Sequence, residues 1–165
     1  MKIPSLSVIK KEMSHLRQDE LIEVLTTLAK YSKENKELLN YLLFESDFES
    51  NYIEKIKVEL DEQFAELRVY HPHLLKKQLQ KIARILKKNI KYSGIKQTEI
   101  ELLIYFCLKM IEVKVNFHRY SVMINLLKRQ FARIQKVIGE LDEDLQNDYN
   151  REVKLIQEYV GVEAD

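Results

Sequence analysis

Apolar residues recur at helical spacing along nearly the whole chain, and no window shows the sustained two-residue alternation of a β-strand. The pattern predicts a short helix from Ser7 towards Met13, a second helix after Leu16, and a third helix capped by Ser32. Because almost no residues separate the second and third helices, the two should form a tight antiparallel hairpin. The predicted buried stripe of the second helix is Leu21, Leu25 and Leu28, and the third carries Leu38, Leu39, Leu42 and Leu43.

Two longer helices are predicted in the middle of the chain. Asn51 and Glu54 have the spacing of a capping pair at the start of the fourth helix. Pro72 separates this helix from the fifth, which should end at Gly94 because glycine is a natural C-terminal stop. The predicted apolar stripes are Ile53, Ile56, Leu60, Phe64 and Leu67 on the fourth helix and Leu75, Leu79, Ile82, Leu86 and Ile90 on the fifth.

The most apolar segment of the chain comprises residues 100–113. Eleven of its fourteen residues are apolar or aromatic, and at about 100° per residue its three charges fall in one narrow strip. Thr98 and Glu101 have the T-x-x-E spacing of a capping box at its start. We therefore expect a sixth helix at the centre of the core, surrounded by other helices.

The C-terminal third allows two arrangements. Residues 114–120 are predicted to be the longest loop, and beyond them the helical spacing continues across Gly139. One long kinked helix or two consecutive helices satisfy this pattern, and a break with Asp142 starting the last helix is preferred. The sequence thus predicts an all-α fold with seven or eight helices in a single domain over residues 1–165. Within it, residues 1–16 hold the short first helix, residues 17–113 the central helices and residues 121–160 the long or broken C-terminal helix.

Charge is balanced overall but sorted along the chain. The 27 lysines and arginines and 26 aspartates and glutamates leave a net charge of +1, so the bulk charge favours neither nucleic acid nor anionic lipid. Residues 45–66 carry a net charge of −6, whereas residues 67–98 contain nine basic residues and no acid. Residues 113–139 contain six basic residues, again without an acid, and residues 140–152 carry a net charge of −5.

This sorting yields one candidate binding surface. Basic residues recur along the predicted fifth helix on the side opposite its apolar stripe, and a shorter basic group lies on the seventh helix. The candidate anion- or nucleic-acid-binding residues are Lys77, Lys81, Arg84, Lys88, Lys91, Arg129 and Arg133. The competing interpretation is a solvated outer helix face whose cations pair with the neighbouring acidic helices, and it is preferred because charge runs are weak evidence of binding.

Candidate chemistry is sparse. His71 and His73 flank a proline and are spaced to share a metal, but zinc needs at least three protein ligands and no third histidine or cysteine lies nearby in sequence. Cys107 lies within the apolar sixth segment, which favours a small buried hydrophobic residue over a nucleophile. None of the phosphate-binding, nucleophile-elbow or zinc-protease motifs occurs. The sequence therefore predicts no enzyme, no cofactor and no metal.

The predicted compartment is the cytoplasm. A single cysteine cannot form an internal disulfide, the first residues lack the apolar run of a secretory signal, and no stretch approaches the about 18 apolar residues of a membrane span.

Three stretches resemble a family of small bacterial all-helical proteins that has no assigned activity. They are residues 28–39 (LAKYSKENKELL), residues 91–94 (KYSG) followed by 96–99 (KQTE), and residues 142–149 (DEDLQNDY). The resemblance implies a helical, cytoplasmic bacterial protein and supplies no site residues. The second and third helices have a looser likeness to HEAT-like helix pairs, so an irregular antiparallel bundle and a short α-α superhelix both remain open.

The predicted function is a non-catalytic scaffold or protein-interaction module that engages a protein partner or a second copy. Anion or nucleic-acid binding is the alternative, and no membrane association is expected.

Overall fold

A computed structural model describes residues 2–161, and every regular element in that range is helical. The α-helices are α1 (Leu6–Met13), α2 (Gln18–Tyr31), α3 (Lys33–Asn40), α4 (Glu49–Ala65), α5 (Pro72–Ser93), α6 (Lys96–Glu112), α7 (Ser121–Ile138), α8 (Glu143–Asp148) and α9 (Asn150–Gly161). A π-helical turn, Tyr41–Glu45, extends α3, and a 3-10 turn, Phe117–Arg119, precedes α7. The predicted all-α fold class is confirmed, with nine α-helices in the described residues where seven or eight were expected. The chain divides into two compact units, Met1–Glu45 and Ser46–Asp165.

The Ser46–Asp165 unit is a helical bundle built around α6. Helices α4, α5, α7 and α9 all contact α6, as its nearly continuous apolar sequence predicts. The side chains of Phe106, Cys107 and Met110 are fully buried at its centre. The buried residues that line the core are Tyr52, Ile53, Ile56 and Leu60 on α4, Leu75, Leu79, Ile82 and Leu86 on α5, Met123, Ile124, Leu126, Leu127, Phe131, Ile134 and Val137 on α7, and Ile156 on α9.

The start and end of α5 follow from its sequence. Pro72 is the first residue of the helix, where its missing N–H is not needed and its fixed φ suits the helix. Gly94 follows the last residue with a φ of 67°, a left-handed conformation that glycine adopts without strain. Between these ends, the predicted apolar stripe is buried except for the half-buried Ile90.

Two predicted caps are wrong. The α4 helix begins at Glu49, so Asn51 lies inside its first turn rather than at its cap. The α6 helix begins at Lys96, so Thr98 also lies inside its helix. The Thr98 side chain is buried, and its hydroxyl donates to the Glu49 carboxylate at 2.6 Å. Glu49 also accepts a hydrogen bond from the Ser93 hydroxyl, so this carboxylate ties the start of α4 to the α5–α6 turn.

The C-terminal segment is broken into separate helices, which the sequence favours over one long kinked helix. Helix α7 ends at Ile138, and Asp142 is the N-cap residue of α8, which is predicted to start there. A second break at Tyr149 separates α8 from α9. The predicted loop before α7 contains the 3-10 turn, whose Phe117 is fully buried.

The Met1–Glu45 unit contains the predicted hairpin. Helices α2 and α3 pack against each other across Ser32, whose hydroxyl accepts a hydrogen bond from the Asn35 amide at 3.1 Å. The predicted buried stripe of α2 is wrong, because Leu25 and Leu28 are 46% and 52% exposed and Leu21 is only half-buried. Within this unit, α1, α2 and α3 contain no buried side chain.

Candidate interaction surfaces

The basic stripe of α5 faces solvent along the whole helix. Lys77, Lys81, Arg84 and Lys91 are exposed, whereas Lys88 is half-buried and has interactions of its own. Within the described residues, no carboxylate lies within ion-pair distance of Lys77, Lys81, Arg84 or Lys91. The pairing with neighbouring acidic helices that was preferred from sequence therefore does not reach these four cations.

The basic group of α7 is divided. Arg129 is exposed, whereas Arg133 is held in a bidentate ion pair with Glu99 of α6, with Nη2 and Oε2 2.9 Å apart. The Glu99 carboxylate raises the pKa of Arg133. Helices α5 and α7 contact each other beside α6, so the two basic groups lie on adjacent helices of the bundle. Arg133 leaves the candidate binding surface because its charge is neutralised within the fold.

Two other cations of the bundle are paired across helices. Lys109 of α6 lies 2.8 Å from Oδ1 of Asp61 on α4, and Lys96 lies 2.9 Å from Oε2 of Glu140 after α7. The hydrogen bond and charge of Lys96 lower the pKa of Glu140. The charge segregation seen in the sequence is thus cancelled at the α4–α6 and α6–α7 contacts, and it persists on the outer face of α5.

Asp61 is also the acceptor for a tyrosine. The Tyr105 hydroxyl of α6 donates to the same Oδ1 at 2.6 Å, and the Nζ atoms of Lys57 and Lys109 lie 5.6 and 5.5 Å from the Tyr105 ring centroid. Hydrogen bonds from Lys109 and then Tyr105 lower the pKa of Asp61. Desolvation, followed by the hydrogen bond to Asp61, raises the pKa of Tyr105 to about 12. A tyrosine with a raised pKa is held as a neutral donor, which suits a structural link between α4 and α6.

The histidines and the cysteine are not brought together. His71 and His73 are exposed at the start of α5, and His118 is half-buried, with Nε2 2.9 Å from the backbone oxygen of Tyr159. Burial raises the pKa of the Cys107 thiol. Across residues 2–161, no group of three or more His, Cys, Asp and Glu side chains is placed to hold a metal ion.

One shallow groove lies on the bundle between α6 and α9. Its volume is about 580 Å³, and it is lined by Leu108, Ile111, Glu112, Leu155, Glu158 and Tyr159. Most of this lining is apolar, and Glu112 and Glu158 are its two acidic residues.

The most exposed apolar surface lies on the Met1–Glu45 unit. Most of the exposed large apolar residues in the described chain belong to this unit, although it is much the smaller of the two. They are Ile3, Leu6, Val8, Ile9, Met13, Leu16, Ile22, Val24, Leu25, Leu28, Tyr31, Leu38, Leu42, Leu43 and Phe44. We call these residues the N-terminal apolar surface.

This surface is not evident from the sequence, because an apolar stripe that packs into the core and one that stays exposed have the same helical spacing. One signal was present. The apolar residues of α2 span an arc of about 160° from Val24 to Ile22 at 100° per residue, which is wider than one short neighbouring helix covers. Helix α3 has eight residues, so much of that arc stays open.

Comparison with protein-family models, with curated proteins and with solved structures finds no match to this chain. Within residues 2–161, none of the helices combines the length and apolar composition needed to cross a membrane. The geometry of the two surfaces therefore carries the functional argument.

Proposed function

We propose that this protein is a non-catalytic helical interaction module whose Met1–Glu45 unit docks onto another protein surface. The observation that carries the proposal is the N-terminal apolar surface, combined with the lack of any buried side chain on α1, α2 and α3. Contiguous exposed apolar patches beyond a few hundred Å² are typical of interaction sites.

Helix stability supports the same proposal. Isolated helices shorter than about 12–15 residues are marginal in water, and helices in proteins gain most of their stability from packing an apolar face. Helix α1 has eight residues, α2 has fourteen, and α3 has eight that the five-residue π-helical turn extends. Small units without a large core are usually stabilised by disulfides, metals or association, and Cys107, the only cysteine, lies outside this unit. Association is the route that we infer for this unit.

The chemistry of the other unit supports a non-catalytic role. Cys107 is buried with a raised thiol pKa, and a thiol nucleophile needs a lowered pKa and access to solvent. Asp61, Tyr105 and Lys109 are satisfied by one another in a link between two helices. We place the module in the bacterial cytoplasm as part of the same proposal, on the family resemblance and on the single buried cysteine.

The test is purification of the tagged chain from the cells that make it, followed by size-exclusion chromatography with light scattering. Leu25→Glu combined with Leu28→Glu places two charges on the N-terminal apolar surface. We expect the wild-type chain to elute as a defined complex larger than 19.8 kDa and the double variant to elute alone.

The matched control is Val58→Glu, which changes a 58% exposed apolar residue on α4 of the other unit. This variant should elute with the wild-type complex, and circular dichroism should show equal helicity in all three chains. A wild-type chain that elutes alone from these cells contradicts the proposal.

A second candidate function is binding of a polyanion such as nucleic acid. It is favoured by the exposed cations of α5 that have no ion-pair partner in the described residues, among them the candidates Lys77, Lys81, Arg84 and Lys91. They extend over about 21 Å at 1.5 Å per residue. Lysines and arginines bind phosphate backbones by releasing condensed counterions, which makes the affinity fall with salt.

Gel-shift titrations with duplex DNA and RNA across a salt series test this candidate. Four phosphate contacts predict a slope of about −3 to −4 for log affinity against log salt concentration on DNA. Lys77→Glu, Lys81→Glu and Arg84→Glu together should abolish the shift and leave the thermal midpoint nearly unchanged. The control triple Lys10→Glu, Lys11→Glu and Lys30→Glu makes the same charge change on the other unit and should keep the shift. An equal loss of the gel shift in both triple variants, or no gel shift of the wild-type chain at low salt, contradicts polyanion binding as the function.

A further inference from the structure

We propose that the surface covered by the N-terminal unit is that of a second copy of this chain, with the α2 helices of the two copies paired antiparallel about a twofold axis. This inference rests on the proposed function, because it names the partner of the same apolar surface.

The charge of the unit fits a second copy. Residues 1–45 contain seven basic and seven acidic residues, so two copies approach without net repulsion. Helix α2 has Asp19 and Glu20 in its first turn and Lys30 in its last turn. Antiparallel pairing places the acidic first turn of one α2 beside the basic last turn of the other, and it also opposes the two helix dipoles. A strongly charged partner would gain nothing comparable from this neutral surface.

The pattern of exposed residues on α2 is symmetric about the middle of the helix. In a twofold interface, residue i contacts residue j of the partner and residue j contacts residue i. Leu25 lies at the middle of α2, and Ile22 and Leu28 flank it by three residues on each side. In the antiparallel pair, Leu25 therefore meets its own copy on the axis, and Ile22 meets Leu28 twice. All three side chains are about half exposed in the single chain, at 56%, 46% and 52% for Ile22, Leu25 and Leu28.

The available area is sufficient for a stable dimer. Stable interfaces bury about 800 Å² on each partner. The fifteen residues of the N-terminal apolar surface, each at least about one third exposed, expose on the order of 1,000 Å² of side chain. The exposed apolar area of the unit as a whole therefore reaches the about 800 Å² that one partner of a stable dimer buries.

The first experiment measures the mass of the purified recombinant chain alone by light scattering at micromolar concentrations. We expect about twice 19.8 kDa for the wild type and for Val58→Glu, and a monomer for Leu25→Glu. A wild-type monomer at every concentration overturns the inference. If the complex from source cells is still lost in the Leu25→Glu, Leu28→Glu variant, the proposed function stands with a different partner. If the wild-type chain also forms no complex in its source cells, both the twofold pairing and the proposed function fail.

The second experiment locates the axis by cysteine cross-linking, which also covers the case in which a glutamate at position 25 unfolds the unit. A disulfide needs Cβ atoms about 3.5–4.5 Å apart. Under mild oxidation, Leu25→Cys should give a covalent dimer, and a mixture of Ile22→Cys and Leu28→Cys chains should give the mixed dimer in preference to either homodimer. Thr27→Cys lies on the polar side of α2 and is the control. Equal cross-linking at positions 25 and 27 overturns the α2 pairing, and preferred Ile22→Cys homodimers overturn its antiparallel direction. Cys107 does not interfere because it is fully buried.

Discussion

Asp61 shows how much of this fold depends on single polar atoms at the edge of the core. One carboxylate oxygen accepts from Tyr105 and from Lys109, and together with the Glu49–Thr98 hydrogen bond it joins α4 to α6. Sequence reasoning placed Lys109 in a narrow charged strip of α6, but not beside Asp61. The pairing depends on how α4 crosses α6. The spacing of residues along either helix carries no information about that crossing. By contrast, burial of Cys107 could be predicted because it depends only on its apolar neighbours in sequence.

At the scale of single residues, we predict how the contribution of Asp61 to the free energy of unfolding depends on pH. The pKa of Asp61 is lowered in the folded protein, so the ionised carboxylate stabilises the fold above its ordinary pKa of 3.8, and this stabilisation is lost as the pH falls through the lower folded value. At pH 7, Asp61→Asn should lower the free energy of unfolding by about 0.5–1 kcal/mol, since the ion pair is partly exposed. The difference from wild type should disappear below the folded pKa.

Urea denaturation at pH 7, 5 and 3 measures this difference. Glu112→Gln is the control, because Glu112 lies 3.8 Å from the same Lys109 but is largely exposed. Its effect should be small at each pH. A difference between Asp61→Asn and wild type that is constant from pH 7 to pH 3 contradicts the prediction.

At the scale of elements, apolar periodicity predicted the helices better than their first turns. The α5 stripe and its glycine stop are as predicted, because a repeat over six turns and a residue that tolerates positive φ are both strong local signals. The capping pairs at Asn51 and Thr98 were wrong because a polar residue three positions before a glutamate also occurs inside helices. Thr98 is satisfied by Glu49, forty-nine residues away, and that contact is invisible in sequence.

Gly94 and Gly139, which follow α5 and α7, should respond differently to alanine. Gly94 has a φ of 67°, so Gly94→Ala forces a side chain into the left-handed region and should cost about 1–2 kcal/mol. Gly139 has a right-handed conformation, and a Cβ there meets carbonyl oxygens at an ordinary 3.6 and 3.7 Å. Gly139→Ala should therefore change stability by less than about 0.5 kcal/mol.

Chemical denaturation of both variants checks this pair. Gly94→Asn is a useful third variant, because asparagine tolerates the left-handed region better than alanine and should restore part of the stability. Equal losses in Gly94→Ala and Gly139→Ala would show that the left-handed turn is not the cause.

At the scale of the whole molecule, the two units were not equally predictable. The central position of α6 follows from its composition, because a helix that is apolar on nearly all sides must be surrounded. The exposed faces of α1, α2 and α3 have ordinary amphipathic patterns. Such a pattern does not reveal whether the surface that packs against the apolar face belongs to the same chain or to another one. Lys77, Lys81, Arg84 and Lys91 are exposed as expected of an outer face, whereas the half-buried position of Lys88 and the loss of Arg133 to Glu99 depend on the packed bundle.

Hydrogen exchange should separate the units. Amides of α6 should exchange most slowly, since the helix is enclosed by four others and opens only with the whole bundle. Amides of α2 should exchange much faster in the Leu25→Glu, Leu28→Glu variant than in the wild type, while α6 amides should not change. Mass spectrometry of peptides after timed exchange measures both, and unchanged protection of α2 in the variant contradicts this expectation.

The amide of Asn89 is the one buried polar side chain in the core stripe of α5, and the Tyr52 hydroxyl of α4 lies 3.1 Å from its backbone oxygen and 3.3 Å from its side-chain oxygen. Replacing Tyr52 alone leaves the buried side-chain oxygen of Asn89 without this donor, at a cost of about 1–3 kcal/mol. Replacing Asn89 keeps the 3.1 Å contact, because every residue has a backbone oxygen. The dependence therefore runs in one direction: in descendants of this chain, asparagine at 89 should be inherited with tyrosine at 52, whereas tyrosine at 52 can persist beside another residue at 89.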